Sequence, residues 1–180
     1  YIGLEMGSVW NRLGAEVTVL EALDRILPEV DRELADQARR IFEKQGLKFR
    51  TEARVRRAAV EGDHCVVECK DLDPIQGDRV LLAVGRVPNT RNLGLETIGV
   101  SLHAKGWIPV DENYATKADS VFAIGDCIGQ PMLAHKASEE GIACVEKLVT
   151  GYGRVNYEAI PAVIYTHPEI ASVGPTEEQL

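Results

Sequence analysis

The first 46 residues alternate between hydrophobic patterns in a way that restricts the fold more than any other feature of the chain. Leu4, Met6, Val9, Trp10 and Leu13 read as one helix, with Gly14 placed as a left-handed stop. Val17-Thr18-Val19-Leu20 is a short apolar run rich in β-branched residues, ended by Glu21, which predicts a buried strand. Asp31 is placed to cap a second helix, with Leu34, Ala38, Ile41 and Phe42 as its apolar face and Gly46 as its stop. From about Leu47 to Lys70 the period changes to two, with short strands meeting at Gly62-Asp63, and Val80 to Val84 predicts another buried strand. Such an order predicts an α/β chain on an open, doubly wound sheet with a small antiparallel insertion.

Beyond that sheet, Gly85-Arg86-Val87-Pro88-Asn89 reads as a turn, and the chain to Gly106 as surface connection. Trp107–Val110 and Val121–Ile124 have strand character. A helix is predicted from about Ala134 to Val149, burying Ala137, Gly141, Cys144, Val145 and Leu148, with Gly151 closing it. Ile160, Val163, Ile164 and Tyr165, then Ile170, Ala171 and Val173, predict two strands of a separate sheet beyond a domain boundary near Gly151–Gly153.

Composition narrows the functional classes. With 180 residues and 45% hydrophobic content the chain can form one or two compact domains. Its net charge of -8 and its lack of a Lys/Arg cluster argue against nucleic acid as a main partner. No apolar run approaches the roughly 20 residues of a membrane-spanning helix, and no basic region precedes an apolar stretch, so neither a membrane anchor nor secretion is read from these residues. The chain starts at Tyr1 inside a helix start, and Thr176-Glu177-Glu178-Gln179 has the form of a capping box that stops at Leu180. The expectation is an internal piece of a longer protein.

Two places can carry chemistry. Gly3 and Gly7 fit the tail of a Gly-x-Gly-x-x-Gly turn, in which a helix N-terminus favours a pyrophosphate, or they serve as small residues on a packed helix face. Glu21 lies 18 residues past Gly3 at a strand end, where a carboxylate accepts hydrogen bonds from the adenosine ribose of NAD. Its alternative is an ordinary strand-end carboxylate. An NADP site would want an arginine nearby; Arg25 is the basic residue close by and reads as a solvated loop residue, so NAD is favoured.

The second place is Val121-Phe122-Ala123-Ile124-Gly125-Asp126, an apolar run delivering a carboxylate to the crevice end of a sheet. Met132-Leu133-Ala134-His135 then opens a helix whose positive end suits a group gaining negative charge. A loop Asp capping a helix, with His135 facing solvent, is the alternative. Cys65 and Cys69 lie about 13 Å apart if on one strand, too far for a disulfide; Cys127 reads as partly buried and Cys144 as packing. No metal spacing and no Cys-x-x-Cys occurs, and His64, His103, His135 and His167 stand beside no convincing nucleophile.

Six runs in one order carry a resemblance: Tyr1 to Trp10, Glu16 to Ala22, Ala83 to Asn89, Val121 to Asp126, Met132 to Ala137, and Ile164 to Glu169. Together they cover almost the whole chain. The sequence resembles the flavin-dependent pyridine nucleotide-disulfide oxidoreductases, and Met132 to Lys136 with Tyr165 to Glu169 look most like the lipoamide branch. The resemblance implies a Rossmann-like NAD domain over residues 1–84, the returning half of an FAD domain over 85–151, and the start of an α+β dimer-interface domain over 152–180.

It also implies roles. Gly3, Glu21, Val55 and Gly85 would bind NAD. Asp126, Met132, Leu133, Ala134 and His135 would bind FAD, with Asp126 on the ribityl-pyrophosphate part. Tyr1 and Glu5 would lie beside the flavin, the carboxylate paired with a lysine outside these 180 residues. The family's partners would be dihydrolipoamide on an acyltransferase or glycine-cleavage carrier protein and a second copy of the chain. The compartment would be bacterial cytoplasm or, alternatively, the mitochondrial matrix.

Two family features are missing from the sequence. The redox pair of cysteines separated by four residues does not occur, and the family's His-x-x-x-x-Glu acid-base pair, which lies near the C-terminus of the interface domain, is not found in residues 152–180. No catalytic residue is therefore assigned in this chain. Mercuric reductase, glutathione reductase and soluble transhydrogenase remain open within the same fold, as does a non-catalytic nucleotide-binding module.

Overall fold

The computed structural model describes residues 1–180, which divide into two compact units, Tyr1–Val84 with Pro161–Leu180, and Gly85–Ile160. In the first unit, α1 (Ile2–Arg12) leads into β1 (Thr18–Leu20), and Gly14 takes the left-handed backbone conformation that the reversal needs. A Cβ on Gly7 would sit 3.3 Å from Val17 Cγ1, so this glycine permits the close approach of helix and strand.

α2 (Arg32–Lys44) is capped as expected. Asp31 Oδ1 accepts the Glu33 N–H at 3.0 Å, while its Oδ2 accepts the Glu177 N–H at 3.2 Å. The buried face of α2 is Ala35, Ala38 and Phe42, with Leu34 and Ile41 only half-buried beside it. The chain then returns through Gly46 into β2 (Lys48–Arg50), which pairs parallel to β1 with Val19 opposite Phe49. Helix, strand, helix and parallel strand make this an α/β fold.

β3 (Val55–Glu61), β4 (His64–Cys69) and β5 (Ile75–Gly77) form an antiparallel sheet that turns at Gly62-Asp63. The hairpin of β6 (Ala162–Ile164) and β7 (Ile170–Ser172) forms its own sheet. Its Ile164 and Ile170 bury in one cluster with Leu4, Ile26, Phe42 and Phe49, which joins the hairpin to the α1–β1–α2–β2 core.

Val80–Val84 is a correction. The run is not a strand, and Leu82 and Val84 are about four-fifths exposed. No strand of the chain pairs with it, and an apolar run becomes a strand only when a neighbour takes its N–H and C=O groups.

The second unit is mostly irregular backbone around α3 (Ala134–Thr150). Its apolar packing lies in two small clusters, one with Val100, Ile108 and Ala123 and one with Tyr114, Ala143 and Cys144. Trp107–Val110 and Val121–Ile124 are not strands either; a single antiparallel bridge joins Ala115 and Phe122. Their polar groups pair singly instead, Ala123 N–H to Tyr114 C=O at 3.0 Å and Ile108 N–H to Cys127 C=O at 2.8 Å.

α3 ends at Gly151 as expected, but its buried face differs. Lys136, Glu140, Ala143 and Cys144 are buried, whereas Val145 and Leu148 are exposed. All four cysteines are free thiols. No helix is long and apolar enough to cross a membrane.

Candidate nucleotide-binding sites

In the first unit, α1 and the end of β1 place the first group of residues. Tyr1 precedes the helix and its C=O accepts the Leu4 and Glu5 N–H groups. Gly3 sits in the opening turn, where a Cβ would lie 3.3 Å from the Ala83 Cβ, a tight contact that glycine avoids. That is the local geometry a dinucleotide turn demands of its last glycine. Glu5 turns to the β6–β7 hairpin, its Oε1 accepting the Tyr165 N–H at 2.9 Å.

Glu21 leaves β1 with its backbone fixed on both sides. Its N–H donates to Arg50 C=O and its C=O accepts the Ala53 N–H, each at 2.9 Å. One carboxylate oxygen, Oε1, accepts the Leu23 N–H at 3.0 Å. Oε2 is left for a hydroxyl pair such as a ribose offers. Beyond it, residues 22–24 with Glu52, Arg54, Lys70 and Asp71 line a cleft of about 320 Å³. Val55 opens β3 opposite Cys69 and is half-exposed.

Arg25 is not the solvated residue expected. Its side chain is only 15% exposed; Nη1 donates to Glu178 Oε1 at 3.1 Å and Nη2 to the Pro28 C=O at 2.8 Å. Arg25 and Arg32 together hold the Glu178 carboxyl below its ordinary range, the Arg25 hydrogen bond contributing most. An arginine committed in this way is not on offer to a 2′-phosphate.

In the second unit, Gly85 has a positive φ of 115°, a conformation suited to glycine. Gly125–Ile128 forms a single tight helical turn that carries Asp126. Asp126 is ion-paired with Arg86 Nη2, and Arg86 Nη1 also donates to the Met132 C=O at 3.1 Å, so one guanidinium spans the turn and the approach to α3. Met132 is buried, its N–H bound to Gln130 Oε1 at 3.1 Å. Leu133 is the N-cap of α3 and offers no side-chain cap; Ala134 and His135 begin the helix, and its first turn has no acidic residue. The positive end of this long helix therefore carries no acidic side chain of its own first turn.

Sequence reasoning overlooked the most buried polar cluster of this unit. Lys136 and Glu140 are 2% and 0% exposed and pair at 3.1 Å one turn apart on α3. Lys136 Nζ also donates to the Gly125 and Gly129 carbonyls at 3.2 and 3.3 Å. Glu140 Oε2 accepts the Gly125 N–H at 2.7 Å, and its Oε1 accepts the Tyr157 hydroxyl at 2.8 Å. That hydroxyl lies 3.4 Å from the Tyr114 hydroxyl. Desolvation first, then the hydrogen bonds to Tyr114 and Glu140, push the Tyr157 phenol well above its ordinary range. The i, i+4 spacing of Lys136 and Glu140 was the available signal, and it reads equally well as a surface ion pair. Arg86, inside one of the six matching runs, was overlooked as a partner for Asp126.

Comparison with known proteins gives a consistent picture. Residues 1–141 match the family described as pyridine nucleotide-disulphide oxidoreductase. The chain is 47% identical to the mitochondrial dihydrolipoyl dehydrogenases of Dictyostelium discoideum and Pisum sativum, over 99% and 100% of its length but 38% and 37% of theirs. It is 46% identical to a leghemoglobin reductase of Glycine max, covering 35% of that protein. Among solved structures it resembles a copper(II) complex of the HOCl-induced flavoprotein disulfide reductase RclA from Escherichia coli, with TM-score 0.93, 30% identity, and 99% of this chain on 41% of that one. It also resembles LpdA from Mycobacterium tuberculosis, with TM-score 0.90, 32% identity, and 98% of this chain on 39% of that one. The chain thus spans little more than a third of the curated relatives it matches.

Proposed function

The chain belongs to the pyridine nucleotide-disulphide oxidoreductase family, and from that premise we propose that it is a segment of an NAD-dependent dihydrolipoamide dehydrogenase. What carries the reading is its likeness, end to end at 47% identity, to proteins named for that activity. In the parent protein, residues 1–84 belong to the NAD domain, 85–151 to the returning half of the FAD domain and 152–180 to the start of the interface domain. The family uses FAD and NAD, and FAD when bound relays an electron pair between a thiol pair and NAD.

The residues present fit those two groups. Gly3 lets the helix start approach a pyrophosphate, and Glu21 keeps one carboxylate oxygen for the ribose while its other oxygen holds the turn. The commitment of Arg25 to Glu178 and Pro28 supports NAD over NADP. Asp126, oriented by Arg86, holds the ribityl-pyrophosphate part of FAD. Met132, Leu133, Ala134 and His135 present the positive end of α3 to the ring, where it stabilises negative charge gained on reduction. Glu5 meets the Tyr165 N–H within this chain, so pairing with a flavin-side lysine would share a carboxylate already in use.

The thiol chemistry belongs to the parent's Cys-x4-Cys and His-x4-Glu pairs, outside residues 1–180. In the net reaction, two protein-bound dihydrolipoamide thiols are oxidised to a disulfide and NAD⁺ is reduced to NADH with release of a proton. The partners are lipoyl-bearing acyltransferases or the glycine-cleavage carrier protein, and a second copy of the chain. The compartment is the bacterial cytoplasm; relatives named as mitochondrial favour the matrix as the second reading. The test is steady-state turnover of the full-length protein against dihydrolipoamide, glutathione and mercuric ion, each with NAD(H) and NADP(H). Preferred turnover of dihydrolipoamide with NAD is the expected result. Preference for mercuric ion or glutathione moves the protein to another branch, and no turnover with bound nucleotide favours a non-catalytic module.

A further inference from the structure

The turn that carries Asp126 is held by a charged cluster rather than by apolar packing. Gly125 approaches α3 so closely that a Cβ there would lie 3.2 Å from the Ala137 Cβ. Both of its backbone polar groups are taken by the Lys136–Glu140 pair, and the same lysine takes the Gly129 carbonyl at the far end of the turn. A one-turn helix cannot satisfy these groups internally, and leaving any of them buried without a partner is costly. A leucine or methionine at position 136 or 140 would fill the space without supplying the donors or the acceptor. The Tyr157 hydroxyl, arriving from the segment after α3, closes the cluster on Glu140 Oε1.

We propose that Lys136, Glu140 and Tyr157 are positioning residues for the flavin, a clamp built on the buried Lys136–Glu140 pair that fixes the Gly125–Gly129 turn and through it aims the Asp126 carboxylate. The proposal rests on the assignment of Asp126 to FAD. Removing the lysine leaves a buried carboxylate uncompensated and frees two carbonyls. Removing the tyrosine hydroxyl takes one donor from Glu140 and leaves the ring in place.

The test uses the full-length holoprotein and its Lys136→Met, Lys136→Met/Glu140→Gln, Tyr157→Phe and Asp126→Asn variants. FAD dissociation constants come from flavin fluorescence, with amide exchange across residues 124–129 and visible flavin dichroism read in parallel. Phe42→Ala, in the apolar core of the other unit, supplies a variant that lowers stability without touching the clamp.

Lys136→Met should weaken FAD by about tenfold or more, the size of one lost hydrogen bond to a charged group. It should also raise exchange across 124–129 and change the dichroism. Neutralising both partners in Lys136→Met/Glu140→Gln should recover part of the affinity, because no charge is then left buried alone. Tyr157→Phe should move the same readouts in the same direction by a few-fold, and it serves where Lys136→Met does not fold. A flavin-bearing wild type weakened by Asp126→Asn but unchanged by Tyr157→Phe and Lys136→Met overturns the clamp alone. So does a set of clamp variants that behave like Phe42→Ala in every readout. A wild type that carries no flavin overturns the site assignment and the clamp with it.

Discussion

Replacing Glu21 with alanine in the full-length protein separates a local role from a nucleotide-binding one. The local role is small: Oε1 accepts one N–H, from Leu23 in an exposed turn, where water can take over the bond. That loss is about 0.5–1.5 kcal/mol, at the lower end for an exposed group. The nucleotide role is larger, because a ribose hydroxyl donating to the carboxylate makes a charge-assisted hydrogen bond of about 1.5–3 kcal/mol. At about 1.4 kcal/mol per tenfold, Glu21→Ala should weaken NAD by roughly 10- to 150-fold. Glu21→Gln keeps one acceptor oxygen, replaces the other with an NH2 donor and loses the charge, so its effect on NAD should be intermediate. NADP should suffer less than NAD from either change, since the repulsion of a 2′-phosphate disappears with the carboxylate. Dissociation constants for both nucleotides and urea unfolding of the same preparations measure the two roles independently. NAD affinity within twofold of wild type in Glu21→Ala would refute the ribose assignment, whatever the change in stability.

Three further outcomes follow from the packing and the electrostatics. Phe42, 1% exposed in the core shared by α2 and the β6–β7 hairpin, should cost about 3–5 kcal/mol as Phe42→Ala in urea or thermal unfolding; a loss below about 1 kcal/mol contradicts that core. Gly125→Ala meets both a positive φ of 74° and the Ala137 Cβ, whereas Gly151→Ala has a positive φ of 79° with open space around it. The former should lose flavin and be destabilised beyond the latter's roughly 1–2 kcal/mol; equal losses would remove the close-approach argument. Asp111 has its carboxyl held below the ordinary range by the Ala115 N–H first and the Asn113 N–H next. Its folded value therefore lies below the unfolded one of about 3.9, and its stabilisation is full above that pH and lost as pH falls through the folded value. The stability gap between wild type and Asp111→Asn should narrow from pH 6 to pH 3, and an equal gap at both would count against it.

The parts of the fold legible in the sequence are those set within a few residues. Asp31, Gly14 and Gly46 mark the ends of α1 and α2 because a cap or a left-handed stop is a local arrangement. Val80–Val84, Trp107–Val110 and Val121–Ile124 carry the composition of strands, but strand formation depends on a partner ladder, and no residue pattern within the run reports whether one is present. α3 misled for a related reason. Val145 and Leu148 read as core, whereas the helix buries Lys136 and Glu140 because the Gly125–Gly129 turn brings backbone groups against them that need partners. Asp126 was legible as a site residue from its place after an apolar run; its partner Arg86, 40 residues away, was not.

The most direct test of the NAD, FAD and lipoamide assignment follows the visible absorption of bound flavin in the full-length protein under anaerobic conditions. Dihydrolipoamide is added first and oxidised nucleotide second. Reduction by dihydrolipoamide followed by recovery of the oxidised spectrum with NAD, and with NADP only weakly, is the predicted result. A protein without flavin, or a flavin that dihydrolipoamide leaves oxidised and NADPH reduces, would contradict it.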